Sequence, residues 1–218
     1  MRSFVTVLSV VCLWGCGLPY TRLDAEQKEV VEDMEVELPA GWNKHEILWD
    51  ISPGSRDILA QLNDRRDLTG DKIRITRDGL LLQYIAIGRV EITKEFPHTR
   101  KKLSAGMLPQ EVAGIIADNL LSNPNITRQK ITANVPALVG DQPGFKLAYS
   151  FETNKGLPVK GNYYGALVGE WHYYLIYEAP AQYYFEKDYP VFEKLEESFR
   201  IRQSESSENG PVSFFNTK

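Results

Sequence analysis

The sequence predicts an α+β fold, an antiparallel sheet flanked by helices in an α/β/α sandwich. Three observations predict it. Phe145, Leu147, Tyr149 and Phe151 alternate with Lys146, Ala148 and Ser150, which is the period of a strand. Leu108, Val112, Ile115, Ile116 and Leu120 recur at helical spacing between Pro109 and Asn123-Pro124. The order of elements is strands, a helix, a run of strands, then a helix. No internal repeat or second core is visible, and 218 residues suit one principal domain.

In chain order, Glu35-Val36-Glu37-Leu38-Pro39 alternates and runs into Pro-Ala-Gly, a short strand and a turn. His45 to Ile51 reads as a second strand. Ser52 to Gly70 is long and polar, with a short helix around Ile58 to Leu62. Lys72 to Thr76 and Leu80 to Ile87 flank Arg77-Asp78-Gly79, a hairpin signal, because Asp-Gly tolerates the positive backbone angles of a tight turn. Both faces of Leu80 to Ile87 are apolar, as in a strand covered on both sides. Glu95 to Gly106 is a loop. Pro109 then opens a helix at its first turn, where its missing N–H costs nothing, and Glu111 sits where the helix dipole favours an acid. Thr127 to Val135 is a polar strand ending in a turn over Gly140 to Gly144. Lys160 to Val168 and Trp171 to Tyr177 form a hairpin about Gly169-Glu170. A closing helix is expected over Pro190 to Ser198, with Phe192, Leu195 and Phe199 inward.

The start of the chain has a different character. Arg2 is followed by a mostly apolar run from Ser3 to Trp14, the layout of a secretory signal. It is too short to span a bilayer, which needs about 20 apolar residues. Leu13-Trp14-Gly15-Cys16 resembles the lipobox of bacterial lipoproteins, although Trp14 stands where small residues are commoner. The resemblance implies lipid attachment, palmitate included, at Cys16, cleavage before it, and membrane contact through the lipid. Gly17, which is not an aspartate, implies release to the outer membrane, with the protein facing the periplasm. The expected organisation is a signal peptide over 1–15, a lipid-anchored tether over 16–35, the α+β domain over 36–202 and a disordered tail over 203–218. Fully extended, the tether would reach on the order of 60 Å. Val30, Val31 and Met34 would close a short helix at its end.

Composition is that of a globular protein, and a net charge of −4 gives no argument for nucleic acid. The only cysteines are Cys12, in the signal, and Cys16, so a mature chain has neither a disulfide nor a thiolate metal site. His45, His98 and His172 have no partner at metal-ligand spacing, and no Gly-x-Ser-x-Gly is present. Asp57, Asp64, Asp67 and Asp71 match no calcium loop and are balanced by Arg56, Arg65 and Arg66. No catalytic residue, metal or cofactor is expected. The features left as partner-binding candidates are the loop cluster His98, Arg100, Lys101 and Lys102, and the tyrosines Tyr163 and Tyr173, with Tyr183 and Tyr184 beside them.

Leu38-Pro39-x-Gly41-Trp42, the helix from Leu108-Pro109, Gly144-Phe145-Lys146-Leu147-x-Tyr149 and Tyr174-x-x-Tyr177-x-Ala179-Pro180 with Phe192 and Ser198-Phe199 together resemble the PsbP/DcrB-like superfamily. The likeness covers about Val36 to Arg202. It implies an α/β/α sandwich and a role as an accessory or protein-binding module, and it brings no catalytic residues. The leading expectation is a non-catalytic envelope lipoprotein that binds another envelope protein. The alternative is small-molecule binding in a pocket lined by the aromatic strands.

Overall fold

The computed structural model describes residues 20–45, 60–67 and 69–202. Cys16, most of the strand expected from His45 to Ile51, Asp57 and the expected tail lie outside the described residues. Among the described residues, eight strands form one antiparallel sheet: β1 (Tyr20–Arg22), β4 (Asn43–His45), β5 (Asp71–Thr76), β6 (Tyr84–Glu91), β10 (Trp171–Pro180), β9 (Pro158–Val168), β8 (Gln142–Thr153) and β7 (Ile126–Val139), in that spatial order. A second, three-stranded sheet joins β2 (Gln27–Val31), β3 (Met34–Leu38) and β11 (Arg200–Ile201). Helix α1 (Pro109–Leu121) packs on β7, β8 and β9, and helix α2 (Tyr184–Ser198) packs on β10 and β3. The fold is therefore the α+β sandwich that the element order predicts.

Strand alternation assigns the two faces. On β10, Tyr173, Leu175, Tyr177 and Ala179 join Ile85, Ile87, Phe192 and Leu195 in the core under α2. The intervening Tyr174 and Ile176 pack with Tyr84, Ala86 and Leu62 on the opposite face. A third cluster, Val112, Ala113 and Ile116 with Phe145 and Leu147, lies under α1. β6 is covered on both sides, as its two apolar faces require.

Residues 20–35 are not a spacer. They carry β1, β2 and the start of β3, and Met34, Val36 and Leu38 are fully buried beneath α2. Two of the charges that made this stretch read as solvated are paired with neighbouring strands, Lys28 with Glu35 and Glu29 with Lys44, the latter at 2.6 Å. Val30, Val31 and Met34 lie in strands, so the expected helix is absent. Only Gly17, Leu18 and Pro19 separate Cys16 from β1. Four residues span at most about 14 Å, against the 60 Å of an unfolded tether.

Three boundaries also differ. The β5–β6 connection is a loop over 77–83, not a tight turn, and β6 begins at Tyr84. Gly79 has φ 109°, and the loop is fastened to α2: Arg77 Nη1 and Gln83 Nε2 donate to the buried Asp188 carboxylate at 2.9 and 2.8 Å. Pro143 and Gly144 lie within β8, because the β7–β8 turn needs only Gly140 and Asp141. Helix α2 begins six residues before Pro190, which sits in its interior. Its first turn is held from below, where Tyr177 Oη donates to the Tyr184 and Phe185 carbonyls at 2.9 and 3.1 Å.

β7 forms one edge of the large sheet. It is interrupted by register shifts between Thr127 and Lys130 and between Ile131 and Ala133, and it carries Pro136.

Candidate functional site

The face under α1 contains a cavity of about 100 Å³. Its floor is Leu147 of β8, Tyr163 of β9 and Ile176 of β10; Leu103, Ile116 and Leu120 wall it. Segment 60–67 and the loop after β6 close it on the side that α1 leaves open. The helix is placed by Pro109 at its start and by Glu111, whose carboxylate accepts the Leu108 backbone N–H at 2.8 Å. At the other end Asn123 donates to the Asp64 and Arg65 carbonyls at 3.0 and 2.8 Å, tying segment 60–67 to the end of α1.

The floor continues as an aromatic layer. Tyr163 lies near-parallel to Phe145 and to His172, at centroid distances of 5.9 Å in each case. Glycines on β9 make room for it. A Cβ at Gly165 would sit 2.5 Å from Phe145 Cζ, and one at Gly161 would sit 2.3 Å from Tyr149 Cζ. His172 Nε2 is 2.7 Å from Tyr163 Oη, and burial pushes the imidazole down to about 4, so it is neutral at physiological pH.

Beside this layer runs a buried charge network. Arg66 Nη1 and Nη2 donate to both oxygens of Asp71 at 2.8 and 2.6 Å, and Arg74 Nη2 donates to Asp71 Oδ2 at 2.7 Å. Tyr174 Oη donates to Asp71 Oδ1 at 2.9 Å. Arg66 Nε also donates to Tyr84 Oη at 3.0 Å, and Tyr84 in turn donates to Glu178 Oε2 at 2.6 Å. Tyr149 donates to the other Glu178 oxygen at 2.8 Å. Both cations thus share Asp71, while Glu178 is held by the Tyr84 and Tyr149 hydroxyls and reaches Arg66 only through Tyr84. Burial, then the Glu178 charge, raises the Tyr84 and Tyr149 hydroxyls; burial, then Asp71, raises Tyr174. These phenols stay protonated as donors. Burial by itself would raise the Asp71 carboxyl, but Arg66 and Arg74 outweigh it and hold the group below its ordinary value. The arrangement holds charge in place beside the cavity.

The structure separates the candidates that the sequence singles out. His98 is half-buried at the cavity rim, its backbone N–H donating to Asn119 Oδ1 at 3.0 Å. Arg100 and Lys102 face Glu95 at 3.9 and 3.5 Å, and Lys101 faces Asp118 at 2.6 Å. The loop is therefore a set of exposed ion pairs and not an open basic patch. Tyr163 and Tyr173 lie on opposite faces of the sheet. Tyr163 floors the cavity, while Tyr173 donates to Asp33 Oδ2 at 2.5 Å under the β2–β3 turn. Tyr183 is exposed, edge-on to Tyr184 at 5.2 Å, away from both. Asp71, one of the four aspartates that the sequence pairs with neighbouring arginines, is buried. No group of three or more metal-ligating side chains converges among the described residues. The sequence reading missed Arg66, Asp71, Arg74 and Glu178 as a unit. The one signal was Glu178, a lone acid in the apolar run Trp171 to Pro180.

Comparison with known proteins places the fold. The solution structure of cyanobacterial PsbP (CyanoP) from Synechocystis sp. PCC 6803 matches with TM-score 0.52 at 13% identity, over 87% of this chain and 98% of that one. The Saccharomyces cerevisiae Ran-binding protein Mog1p matches with TM-score 0.47 at 9% identity, over 81% and 96%. LpqN, involved in cell envelope biogenesis of Mycobacterium tuberculosis, matches with TM-score 0.42 at 12% identity, over 87% and 88%. At these identities the likeness is one of fold alone, and the PsbP match makes that fold PsbP-like. No protein-family model matches the chain, and no curated protein matches it in sequence.

Proposed function

We propose that this chain is a lipid-anchored accessory protein of the bacterial cell envelope, and that it binds a partner protein by taking one of the partner's apolar side chains into the cavity under α1. The size of that cavity carries the reading. Sites for small molecules run to about 300–1,000 Å³, whereas about 100 Å³ suits a single side chain. Leu103, Ile116 and Leu120 wall it over Leu147, the setting in which one buried anchor supplies most of the energy of an interface.

The anchor rests on Leu13-Trp14-Gly15-Cys16, and Gly17 supports a final position in the outer membrane, facing the periplasm. No helix among the described residues is long and apolar enough to cross a membrane. Acyl chains contribute about 0.8 kcal/mol per buried CH2, so a multiply acylated Cys16 holds the chain without one.

The test is a photocrosslinking side chain at Asn119, on the cavity rim, in intact cells. One partner band is expected, and it should disappear when Leu120→Trp fills the cavity. A band indifferent to Leu120→Trp rules out the cavity as the docking point. A small apolar molecule carried by the purified protein and displaced by the same substitution would favour the alternative, a ligand-binding lipoprotein.

A further inference from the structure

Strand register places Tyr20 and Asn134 at opposite ends of one row across the large sheet. Tyr20 pairs with His45, and Lys44 with Ile75, so His45 faces Arg74. Arg74 pairs with Ala86, Ala86 with Ile176, Ile176 with Tyr163, Tyr163 with Leu147, and Leu147 with Asn134. Adjacent strands lie about 4.8 Å apart, so these seven steps measure about 34 Å along the sheet. The same row crosses the cavity floor at Ile176, Tyr163 and Leu147. Those residues lie four to six steps from Tyr20, or about 19 to 29 Å.

The chain between Cys16 and Tyr20 reaches at most about 14 Å. From this we infer that the sandwich stands on its β1 edge, with Tyr20 and Arg22 against a lipid head-group surface, β7 directed away from it and the cavity held part-way up. The inference rests on the anchoring of Cys16 proposed above. The β1 edge suits that position. Tyr20 is 43% exposed with its ring edge-on to His45, and a partly exposed tyrosine is at home at a membrane–water interface. β1 is only three residues long and, among the described residues, stands at the end of the strand order. The partner must then present its side chain about 20 to 30 Å from the bilayer surface, which requires a water-exposed domain and excludes a segment embedded in the membrane.

The experiment uses the full chain purified with its native modification. With Cys16 acylated, the mature chain has no free thiol, so Asp24→Cys and Asn134→Cys each give one labelling site at an exposed position. A fluorophore at each is read in phosphatidylethanolamine–phosphatidylglycerol vesicles containing head-group nitroxide lipid, and mass spectrometry of the same sample reads Cys16. Quenching at position 24 should exceed that at position 134 several-fold. Equal quenching with Cys16 acylated overturns the orientation alone. An unmodified Cys16 overturns the anchoring, and the orientation with it.

Discussion

Arg66 and Asp71 form a two-pronged ion pair, at 2.8 and 2.6 Å, in which the Asp71 side chain has no exposure to solvent. Arg74 binds the same carboxylate from within β5 at 2.7 Å. Asp71 is thus the shared counter-charge of two guanidinium groups, and through Arg66 it ties segment 60–67, one wall of the cavity, to the sheet. Asp71→Asn preserves the shape but leaves both cations unmatched. Breaking a buried pair from one side costs about 3–5 kcal/mol. Urea unfolding of the variant should show a loss of that order.

Stability should depend on pH in two windows. His172 is fully buried and its ring is held down to about 4. Between an unfolded value of about 6.5 and the folded value, the unfolded chain binds one more proton. Stability therefore falls as pH falls through this window, by about 3 kcal/mol at its lower end. Asp71 acts below it: its depressed folded value contributes stability above about pH 4, lost as the pH drops through that folded value. His172→Phe should flatten the upper window and keep the lower. At neutral pH it should cost about 1–3 kcal/mol for the Tyr163 hydroxyl left unpaired. Thermal unfolding at a series of pH values reads both effects.

Gly161→Ala tests the close packing of the aromatic layer. The new methyl would meet the Tyr149 ring at 2.3 Å, so the ring must move and its 2.8 Å bond to Glu178 must lengthen. Overpacking of this kind costs about 1–3 kcal/mol. Gly161 is not at positive φ, so the loss reads the ring contact and not backbone strain. Urea unfolding that shows no loss would mean that the ring yields freely.

Arg89 fastens the small sheet to the large one. Its guanidinium lies 4.0 Å from the centre of the Trp171 ring and pairs with Glu32 at 2.7 Å and Asp33 at 2.5 Å. Arg89→Met keeps the stem and removes the charge. Hydrogen exchange should accelerate across β2 and β3, whereas β8 and β9 should be unaffected. Acceleration spread over all the strands would show that the pair supports the whole domain and not this junction.

Elements whose signal is local were legible. The β8 alternation, the Pro109 and Asn123 boundaries of α1 and the Gly169-Glu170 turn each depend on neighbours within one strand or helix. Residues 20–35 were not, because Lys28 and Glu29 look solvated until Glu35 of β3 and Lys44 of β4 supply partners. The charge network was illegible for the same reason at longer range. Asp71 is 103 positions from Tyr174, and Tyr84 is 94 from Glu178. Spacing shows that charges are close in the chain; it does not show which of them the fold takes out of water. The loop cluster at Arg100, Lys101 and Lys102 illustrates the converse, since its cations sit close together and the fold sets two carboxylates, Glu95 and Asp118, against the three.

The interruptions in β7 bear on what happens when many copies crowd together. A long, regular outer strand offers its free amides to a neighbour and seeds end-to-end stacking. Here Pro136 withholds one donor, and two breaks in register spoil the spacing of the others. Molecules gathered at high density on a surface should therefore slide past one another at this rim without polymerising.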